Sequence, residues 1–177
     1  AGRVGRGRIL PAVPTWDPDF SNWLWRDDPL DAATSVVFDM DGVLSNASTR
    51  QHYLEHPRRD WESFFQACGD DELIDEVAQL LDVLDTELQI VLLTARPIRV
   101  QPQTLGWLDR YGLRWDVLIM REYGDYMAAR HFKQRTVAEL RHRGHDLQLA
   151  FEDDPRNVAM FHGEGVPCIY IHSGYYN

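Results

Sequence analysis

The stretch SVVFDMDGVL, residues 35–44, decides the fold because it joins a buried-type strand to an acid–x–acid–glycine turn. Residues two positions apart in a strand point to the same side, so the carboxylates of Asp39 and Asp41 should project together beyond its carboxyl end. Two like charges held this close repel and raise each other's pKa unless a cation or a shared proton relieves them. A bound Mg²⁺ beside one ionised and one protonatable carboxylate would resolve the conflict, and this arrangement indicates phosphoryl chemistry.

Strand and helix patterns alternate along the chain from residue 35 onward. Short apolar runs rich in β-branched residues predict buried strands, and apolar residues repeating every three or four positions predict amphipathic helices. Repeated β–α–β units imply an α/β fold, a Rossmann-like parallel sheet with helices on both faces. The predicted strands are SVVFDM (35–40), QIVLLT (89–94), WDVLIM (115–120), LQLAFED (147–153) and VPCIYIH (166–172), and the predicted helices cover 71–88, 100–112, 128–144 and 155–164.

Residues 1–34 differ from this pattern, because they hold four prolines and three tryptophans without clear periodicity. We predict a flexible tail followed by an extended segment, whose tryptophans Trp16, Trp23 and Trp25 pack on a domain formed by residues 35–177. The glycine-rich start GRVGRGR does not predict a phosphate-binding loop, since no strand precedes it and no Gly-Lys-Ser/Thr follows.

An insert at about residues 43–70 interrupts the alternation directly after the first predicted strand. It is too long for a turn and too short for an independent domain, so we expect a small cap or lid. Ligands of such parallel sheets bind beyond the carboxyl ends of the strands. The cap therefore should lie beside the ligand-binding crevice.

The composition is that of a globular protein of 177 residues, long enough for one domain with a substantial core. The formal net charge of −10 argues against bulk electrostatic binding to nucleic acid, although it leaves room for a local basic rim. No apolar run approaches the roughly 20 residues that span a bilayer. Cys68 and Cys168 are interpreted as reduced thiols, and we expect a cytoplasmic protein without a membrane partner.

Four groups of residues suited to phosphoryl transfer lie where one crevice at the edge of the sheet would bring their side chains together. Asp39 is placed to attack phosphorus, and Asp41 to protonate the leaving oxygen and then to activate water. Thr94 is placed to hydrogen-bond a phosphoryl oxygen, and Lys133 to supply positive charge. Asp39, Asp153 and the backbone carbonyl of Asp41 would hold Mg²⁺ through hard oxygen ligands.

These motifs resemble those of the haloacid dehalogenase (HAD) superfamily of phosphohydrolases. They stand in the family's order as FDMDGVL, LLTAR, the lysine of HFKQR and FEDDPRN, and they span nearly everything from Ser35 to Asn177. Lys133 is the only lysine beside seventeen arginines, and it falls where the family needs an ammonium group. The last motif offers three consecutive acids, and Asp153 is aligned to the metal ligand, with Glu152 as the second and Asp154 as the third alternative.

A narrower resemblance is to the phosphatase domain of phage and bacterial polynucleotide kinase-phosphatases. The stretch REYGDYMAARHFK has that group's Arg-x-x-Gly-Asp, with the lysine eight residues after the aspartate. The resemblance implies that Arg50 and Arg96 handle phosphate, that Ala95 belongs to the substrate-binding turn, and that Asp125 supports the site. A Walker-type kinase loop is absent from the sequence, because it needs Gly-Lys-Ser/Thr and the single lysine is already assigned.

We therefore expect a Mg²⁺-dependent phosphatase that acts on the 3'-phosphate end of a nucleic acid. The alternatives are a 5'- or 3'-nucleotidase acting on free mononucleotides, and a module that binds metal and phosphate without turnover. A basic rim of Arg50, Arg58 and Arg59 would favour a polymeric substrate. A kinase or ligase partner on a separate chain or in a missing segment stays open.

Overall fold

The computed structural model describes residues 13–55 and 57–176. The predicted flexible tail, with its glycine-rich start, lies largely outside these residues. Nine strands are present among them: β1 (Thr15–Trp16), β2 (Trp23–Trp25), β3 (Thr34–Phe38), β4 (Ser45–Asn46), β5 (Glu72–Leu73), β6 (Gln89–Pro97), β7 (Val117–Arg121), β8 (Asp146–Glu152) and β9 (Cys168–Tyr170).

Five α-helices connect or cover these strands: α1 (Trp61–Gln66), α2 (Asp75–Val83), α3 (Gln101–Tyr111), α4 (Ala129–His142) and α5 (Pro155–Gly163). Short 3₁₀-helices cover Ala47–Leu54, Ala67–Asp70 and Ile98–Val100. The helix predicted over 71–88 is shorter in the structure. Glu72–Leu73 form β5, Ile74 is the N-cap of α2, and the helix ends at Val83 because Leu84 is extended. Helix α3 ends at Gly112, whose φ of 61° allows the left-handed conformation that stops a helix.

The main sheet has seven strands in the order β1-β2-β7-β6-β3-β8-β9. The five strands from β7 to β9 run parallel, and β3 lies at their centre between β6 and β8. Phe38, the last residue of β3, pairs with Leu92 on β6 and with Phe151 on β8. The carboxyl ends of the strands that carry the predicted motifs therefore meet at one edge of the sheet.

Alternate residues of the strands pack into two separate cores, one on each face. On one face, Val36 and Phe38 share a core with Leu81 of α2 and Trp107 of α3. On the other face, Val37 shares a core with buried residues of α4 and α5, including Phe132, Val137, Met160 and Phe161. The predicted α/β fold, a mainly parallel sheet covered by helices on both faces, is confirmed.

Thr15–Trp16 and Trp23–Trp25 form strands of the main sheet, whereas we expected an extended segment that packs on a domain formed by residues 35–177. Strand β2 pairs antiparallel with β7, with Trp23 opposite Ile119, and β1 adds a further edge strand. Trp23 and Trp25 are 0% and 1% exposed, whereas Trp16 on the edge is 44% exposed. Two of the three tryptophans therefore contribute to the core.

The insert contains short helices between two paired short strands. Its ends are tied together by the antiparallel pair of β4 and β5, with Ser45 opposite Leu73. Between them lie the two 3₁₀-helices 47–54 and 67–70 and the single short helix α1. Both cysteines are free thiols, and within the described part of the chain no helix has the length and apolarity to cross a membrane.

Candidate active site

The loop after β3 brings the two predicted catalytic aspartates to the edge of the sheet. Its turn is tight, because the N–H of Ser45 donates to the carbonyl of Met40 at 2.9 Å and the N–H of Gly42 donates to the carbonyl of Ser45 at 2.8 Å. Gly42 has a φ of 83°, and a Cβ atom there would stand only 2.0 Å from Oδ2 of Asp153. Glycine therefore allows the loop that carries Asp39 to approach the fourth motif closely.

Lys133, in the second turn of α4, supplies the positive charge beside Asp39. Its Nζ lies 2.9 Å from Oδ2 of Asp39 and 2.6 Å from Oε2 of Glu152. Asp39, Glu152 and Asp153 each offer a carboxylate oxygen, and these oxygens lie within 4.8 Å of one another. We call these four residues the lysine cluster, in which three carboxylates face one ammonium group, and all four are buried.

The pKa values in the lysine cluster reflect burial and an excess of carboxylates. Burial raises the pKa of Asp39 well above its ordinary value, and the charge of Glu152 adds to this while Lys133 opposes it. Burial likewise raises the pKa of Asp153 to about 7. For Lys133, burial acts to lower the pKa, but Asp39 and Glu152 outweigh it and keep the pKa above its ordinary value. The ammonium group is therefore charged, and further positive charge would favour ionised carboxylates.

A divalent cation fits the lysine cluster. Among the described residues, neither carboxylate oxygen of Asp153 has a hydrogen-bond partner, although both are buried. Glu152 is already occupied, because Oε2 binds Lys133 and Oε1 accepts the N–H groups of Asp153 and Asp154 at 3.1 Å. Asp154 caps α5 and binds Arg156 at 2.7 Å. The free oxygens thus favour Asp153 over its neighbours as a metal ligand beside Asp39.

Asp41 lies in a second charged group, which we call the arginine pocket, formed by Asp41, Arg50, Asp71 and Arg96. Oδ1 of Asp41 accepts from Nη2 of Arg50 at 2.5 Å and from Nη2 of Arg96 at 2.6 Å. Asp71 accepts from Nε and Nη2 of Arg50 at 2.8 and 2.7 Å, and it lies 3.3 Å from Nη2 of Arg96. Arg50 and Arg96 are 1% and 0% exposed, so two guanidinium groups are fixed beside Asp41.

The arginine pocket holds Asp41 in its ionised form. Burial acts to raise the pKa of Asp41, but Arg96 and Arg50 outweigh it and hold the pKa well below its usual range. Donating a proton would require this carboxylate to be protonated. A phosphate dianion that accepts hydrogen bonds from Arg50 and Arg96 would weaken this restraint.

Thr94 and Ala95 lie at the carboxyl end of β6, next to the loop that carries Asp39. Thr94 is buried, and its Oγ1 accepts the N–H of Arg96 at 3.2 Å. Ala95 is half-buried. Since Leu92 pairs with Phe38, Thr94 falls beside the start of the aspartate loop. The structure therefore gathers Asp39, Asp41, Arg50, Thr94, Ala95, Arg96, Lys133 and Asp153 at one edge of the sheet.

Asp125 is the predicted site residue that makes its contacts elsewhere. It lies in the loop between β7 and α4, where its carboxylate accepts from Arg135 and from the N–H of Met127, both at 2.9 Å. These bonds stabilise the loop itself. The expected support of the site by Asp125 would act through this loop rather than through a direct bond to the lysine cluster.

Asp71 is the residue that the sequence analysis missed. It is 1% exposed and accepts hydrogen bonds from both arginines of the pocket, and Oγ of Ser45 also donates to it. Its main-chain carbonyl accepts the indole N–H of Trp107 at 2.8 Å. The one available signal was its position directly after the insert, as the first residue of the helix predicted over 71–88.

A family model describes what this arrangement is similar to. The model of the polynucleotide kinase PNKP phosphatase domain, a HAD-type family, matches residues 33–176. The chain belongs to this family. The match covers both the lysine cluster and the arginine pocket, and the predicted place among the HAD phosphatases is confirmed.

This chain spans about half the length of the first relatives that it matches. A Bacillus subtilis (strain 168) protein named YqfW, provisionally described as a nucleotidase, is 29% identical over 104 residues, which are 58% of this chain and 48% of YqfW. A structure of the Pnkp1/Rnl/Hen1 complex matches with a TM-score of 0.68 and 22% identity over 79% of this chain and 45% of that chain. The class C acid phosphatase of Bacillus anthracis matches with a TM-score of 0.60 and 16% identity over 83% and 69%. At these identities the two structures establish the shared fold.

Proposed function

We propose that this chain is a Mg²⁺-dependent phosphomonoester hydrolase that works through an aspartyl-phosphate on Asp39. The observation that carries the proposal is the lysine cluster, where Asp39 is paired with Lys133 beside the unpartnered carboxylate of Asp153. Asp39, Asp153 and the main-chain carbonyl of Asp41 would hold Mg²⁺, which when bound would neutralise charge on the phosphoryl group.

Asp39 would act as the nucleophile. A carboxylate oxygen of Asp39 attacks phosphorus, the bond from phosphorus to the leaving oxygen breaks, and the alcohol departs with a proton. Water then attacks the phosphorus of the aspartyl-phosphate, which frees Asp39 and releases inorganic phosphate. Lys133, whose Nζ lies 2.9 Å from Asp39, would favour the ionised carboxylate in the first step and would offset charge on the phosphoryl group in both steps.

Asp41 would carry the proton, and the arginine pocket would control when it can do so. The phosphate of the substrate would take up hydrogen bonds from Arg50 and Arg96 that Asp41 accepts in its absence. Asp41 could then be protonated, donate to the leaving oxygen, and accept the proton of the attacking water. Thr94 would donate to a phosphoryl oxygen from the adjacent turn, which Ala95 shares.

The 3'-phosphate end of a nucleic acid is the substrate that we propose. Membership of the PNKP phosphatase-domain family supports it, and so does the small cap, which would leave the crevice open to a polymer. The similarity to YqfW favours a second candidate, a nucleotidase acting on free mononucleotides. Both candidates use the same chemistry at Asp39.

We further propose that this chain acts beside a kinase or ligase on another polypeptide or a further segment. The matching Pnkp1 structures include one of the Pnkp1/Rnl/Hen1 RNA repair complex. The match covers 45% of the chain from that complex, so that chain extends well beyond the matched region. Removing a 3'-phosphate would leave a 3'-hydroxyl end, which is a substrate for an enzyme that joins or extends ends.

The test is phosphate release with Mg²⁺ from a 3'-phosphorylated oligonucleotide, its 5'-phosphorylated counterpart, and 3'- and 5'-mononucleotides. We expect the largest kcat/KM with the 3'-phosphorylated oligonucleotide, and loss of release in Asp39→Asn. A preference for mononucleotides would establish the nucleotidase instead. Mg²⁺ binding without release from any of these substrates would contradict both, and would leave a non-catalytic binding module.

A further inference from the structure

The loop between β7 and α4 is joined at both ends to elements that carry residues of the active site. Its first residue, Arg121, ends β7 and pairs with Pro97, which directly follows Arg96 of the arginine pocket. Its far end leads into α4, whose second turn carries Lys133. The loop is therefore attached on one side to the arginine pocket and on the other side to the lysine cluster.

Two tyrosines in this loop are almost fully exposed. Tyr123 is 90% exposed and Tyr126 is 91% exposed, more than any other large hydrophobic residue among those described. Soluble proteins often expose single aromatic residues, whereas here two are exposed within four residues of one loop. Neither ring stacks on another aromatic ring of the described residues.

The loop that presents these tyrosines is held in a defined shape. Asp125, between them, accepts the N–H of Met127 and a guanidinium N–H of Arg135, both at 2.9 Å. Gly124 supplies the positive φ of 81° that the turn requires, and the N–H of Asp125 donates to the carbonyl of Glu122 at 3.3 Å. The backbone is thus ordered by bonds that do not involve the tyrosine rings.

The loop lies among charges of both signs, because the carboxylate of Glu122 accepts from Oγ of Ser21 at 2.9 Å and arginines of α4 flank the loop. Arg130, in the first turn of α4, is exposed and forms no ion pair with a carboxylate in the described ranges 13–55 and 57–176. The carboxylate of Asp125 is neutralised by Arg135. A nucleic acid offers both the aromatic bases that would stack on tyrosine and the phosphates that would approach arginine.

We propose that Tyr123 and Tyr126 form a stacking platform for the bases next to the phosphate that is removed. This inference rests on the proposed function, since the terminal phosphate is then fixed between Asp39 and Lys133. The loop joins the strand end beside Arg96 to the helix that carries Lys133, so the nucleoside next to the fixed phosphate would pass along it. Tyrosine provides a large contact area with few rotatable bonds, and stacking accepts any base, so the platform fits an end-processing enzyme without sequence preference.

The test compares two 3'-phosphorylated oligonucleotides of the same length. One is complete, and the other, called abasic, lacks the bases of its last two nucleotides. With the unaltered protein we expect a lower KM for the complete oligonucleotide. In the double variant Tyr123→Ala/Tyr126→Ala, the KM for the complete oligonucleotide should rise about tenfold, to the level of the abasic one. The kcat for both substrates, and the KM for the abasic one, should stay within about twofold of the unaltered protein.

Two controls separate stacking from other effects. The variant Tyr123→Phe/Tyr126→Phe keeps the aromatic faces and should retain the low KM. Trp16→Ala removes an exposed aromatic ring from the distant edge strand β1 and should change neither substrate's KM.

Three results would decide against the platform. An unchanged ratio of the two KM values in the double alanine variant would overturn it while leaving the proposed function intact. An equal KM rise for the abasic substrate would also overturn it, because bases would then not be the ligand. Absence of phosphate release from either oligonucleotide by the unaltered protein would contradict the proposed function, and the platform with it.

Discussion

The lysine cluster and the arginine pocket lie side by side, yet they balance charge in different ways. In the arginine pocket, Arg50 and Arg96 face Asp41 and Asp71, so two cations match two carboxylates. In the lysine cluster, one ammonium group faces the carboxylates of Asp39, Glu152 and Asp153. Arginines and carboxylates are equal in number in the first group, whereas the second has three carboxylates for one cation.

This difference indicates what each group can bind. Buried carboxylates without partners are costly, so a cation would complete the lysine cluster, and the free oxygens of Asp153 are where it would bind. The arginine pocket is already satisfied, and it can receive an anion only by exchanging Asp41 for phosphate. We infer a division of labour in which one group binds metal and carries the nucleophile, while the other binds the phosphoryl oxygens.

The largest expected effect follows from removing the nucleophile. Asp39→Asn keeps the size of the side chain but leaves a weak nucleophile, so kcat for phosphate release should fall at least about 10³-fold. Steady-state phosphate release with saturating Mg²⁺ measures this. Asp154→Asn is the matched control, because it makes the same change next to the cluster, and its kcat should stay within a few-fold. An equal loss in both variants would contradict the assignment of roles.

Breaking the lysine cluster should cost both rate and stability. Lys133→Met leaves Asp39 and Glu152 buried without their cation, which should destabilise the metal-free protein by about 3–5 kcal/mol and lower kcat by about 10²–10³-fold. Urea unfolding in EDTA and kinetics with Mg²⁺ provide the two readouts. Lys133→Arg retains the charge and should recover much of the stability but little of the rate. A fully stable, active Lys133→Met protein would refute the cluster's role.

Metal addition should affect only one of the two groups. At a Mg²⁺ concentration of 100 times Kd, the unaltered protein should gain about 2.7 kcal/mol of unfolding free energy. Asp153→Asn should abolish this gain and should not destabilise the metal-free protein, since it removes an unpartnered charge. Asp71→Asn, an equally buried aspartate in the arginine pocket, should retain the gain. Thermal unfolding with and without Mg²⁺ compares the three proteins, and a retained gain in Asp153→Asn would disprove the ligand assignment.

The smallest effect is a pH dependence of opposite sign in the two groups. The pKa of Asp153 is raised to about 7 in the folded protein, so between pH 4 and 7 the folded state binds more protons than the unfolded state. The contribution of Asp153 to the unfolding free energy of the metal-free protein should therefore fall as pH rises through that window. The pKa of Asp41 is held low, so its contribution is present above its ordinary pKa and is lost as pH falls.

Urea unfolding in EDTA at a series of pH values measures the first contribution. The difference between the unaltered protein and Asp153→Asn should shrink toward low pH, where both side chains are neutral. A difference that stays constant from pH 4.5 to 7.5 would show that Asp153 is ionised throughout.

The parallel core of the fold follows from local sequence patterns, but its edge does not. Apolar runs such as QIVLLT predict β6 because all residues of a central strand are buried. Strands β1 and β2 are two and three residues long, and no periodicity can develop over that length. Their place in the sheet depends on pairing with β7, almost a hundred residues away, which the sequence does not encode locally.

The same distinction holds for the site. Asp39, Thr94 and Lys133 could be located because strand ends and a motif order fix them. Asp71 could not, because its role comes from how the insert folds back on Arg50 and Arg96. The actual contacts of Asp125 were equally hidden, since a hydrogen bond to Arg135 depends on where a loop meets the next helix.

The central claim is that Asp39 itself becomes phosphorylated, and trapping the phosphoenzyme tests it most directly. A 3'-³²P-labelled oligonucleotide is mixed with excess protein and Mg²⁺, quenched in acid at times within the first turnover, and the protein is digested. The account predicts label on the peptide that contains Asp39, and none in Asp39→Asn or without Mg²⁺. Two results would contradict it: release of labelled phosphate in the first turnover while the protein carries no label at any quench time, or label on a residue other than Asp39.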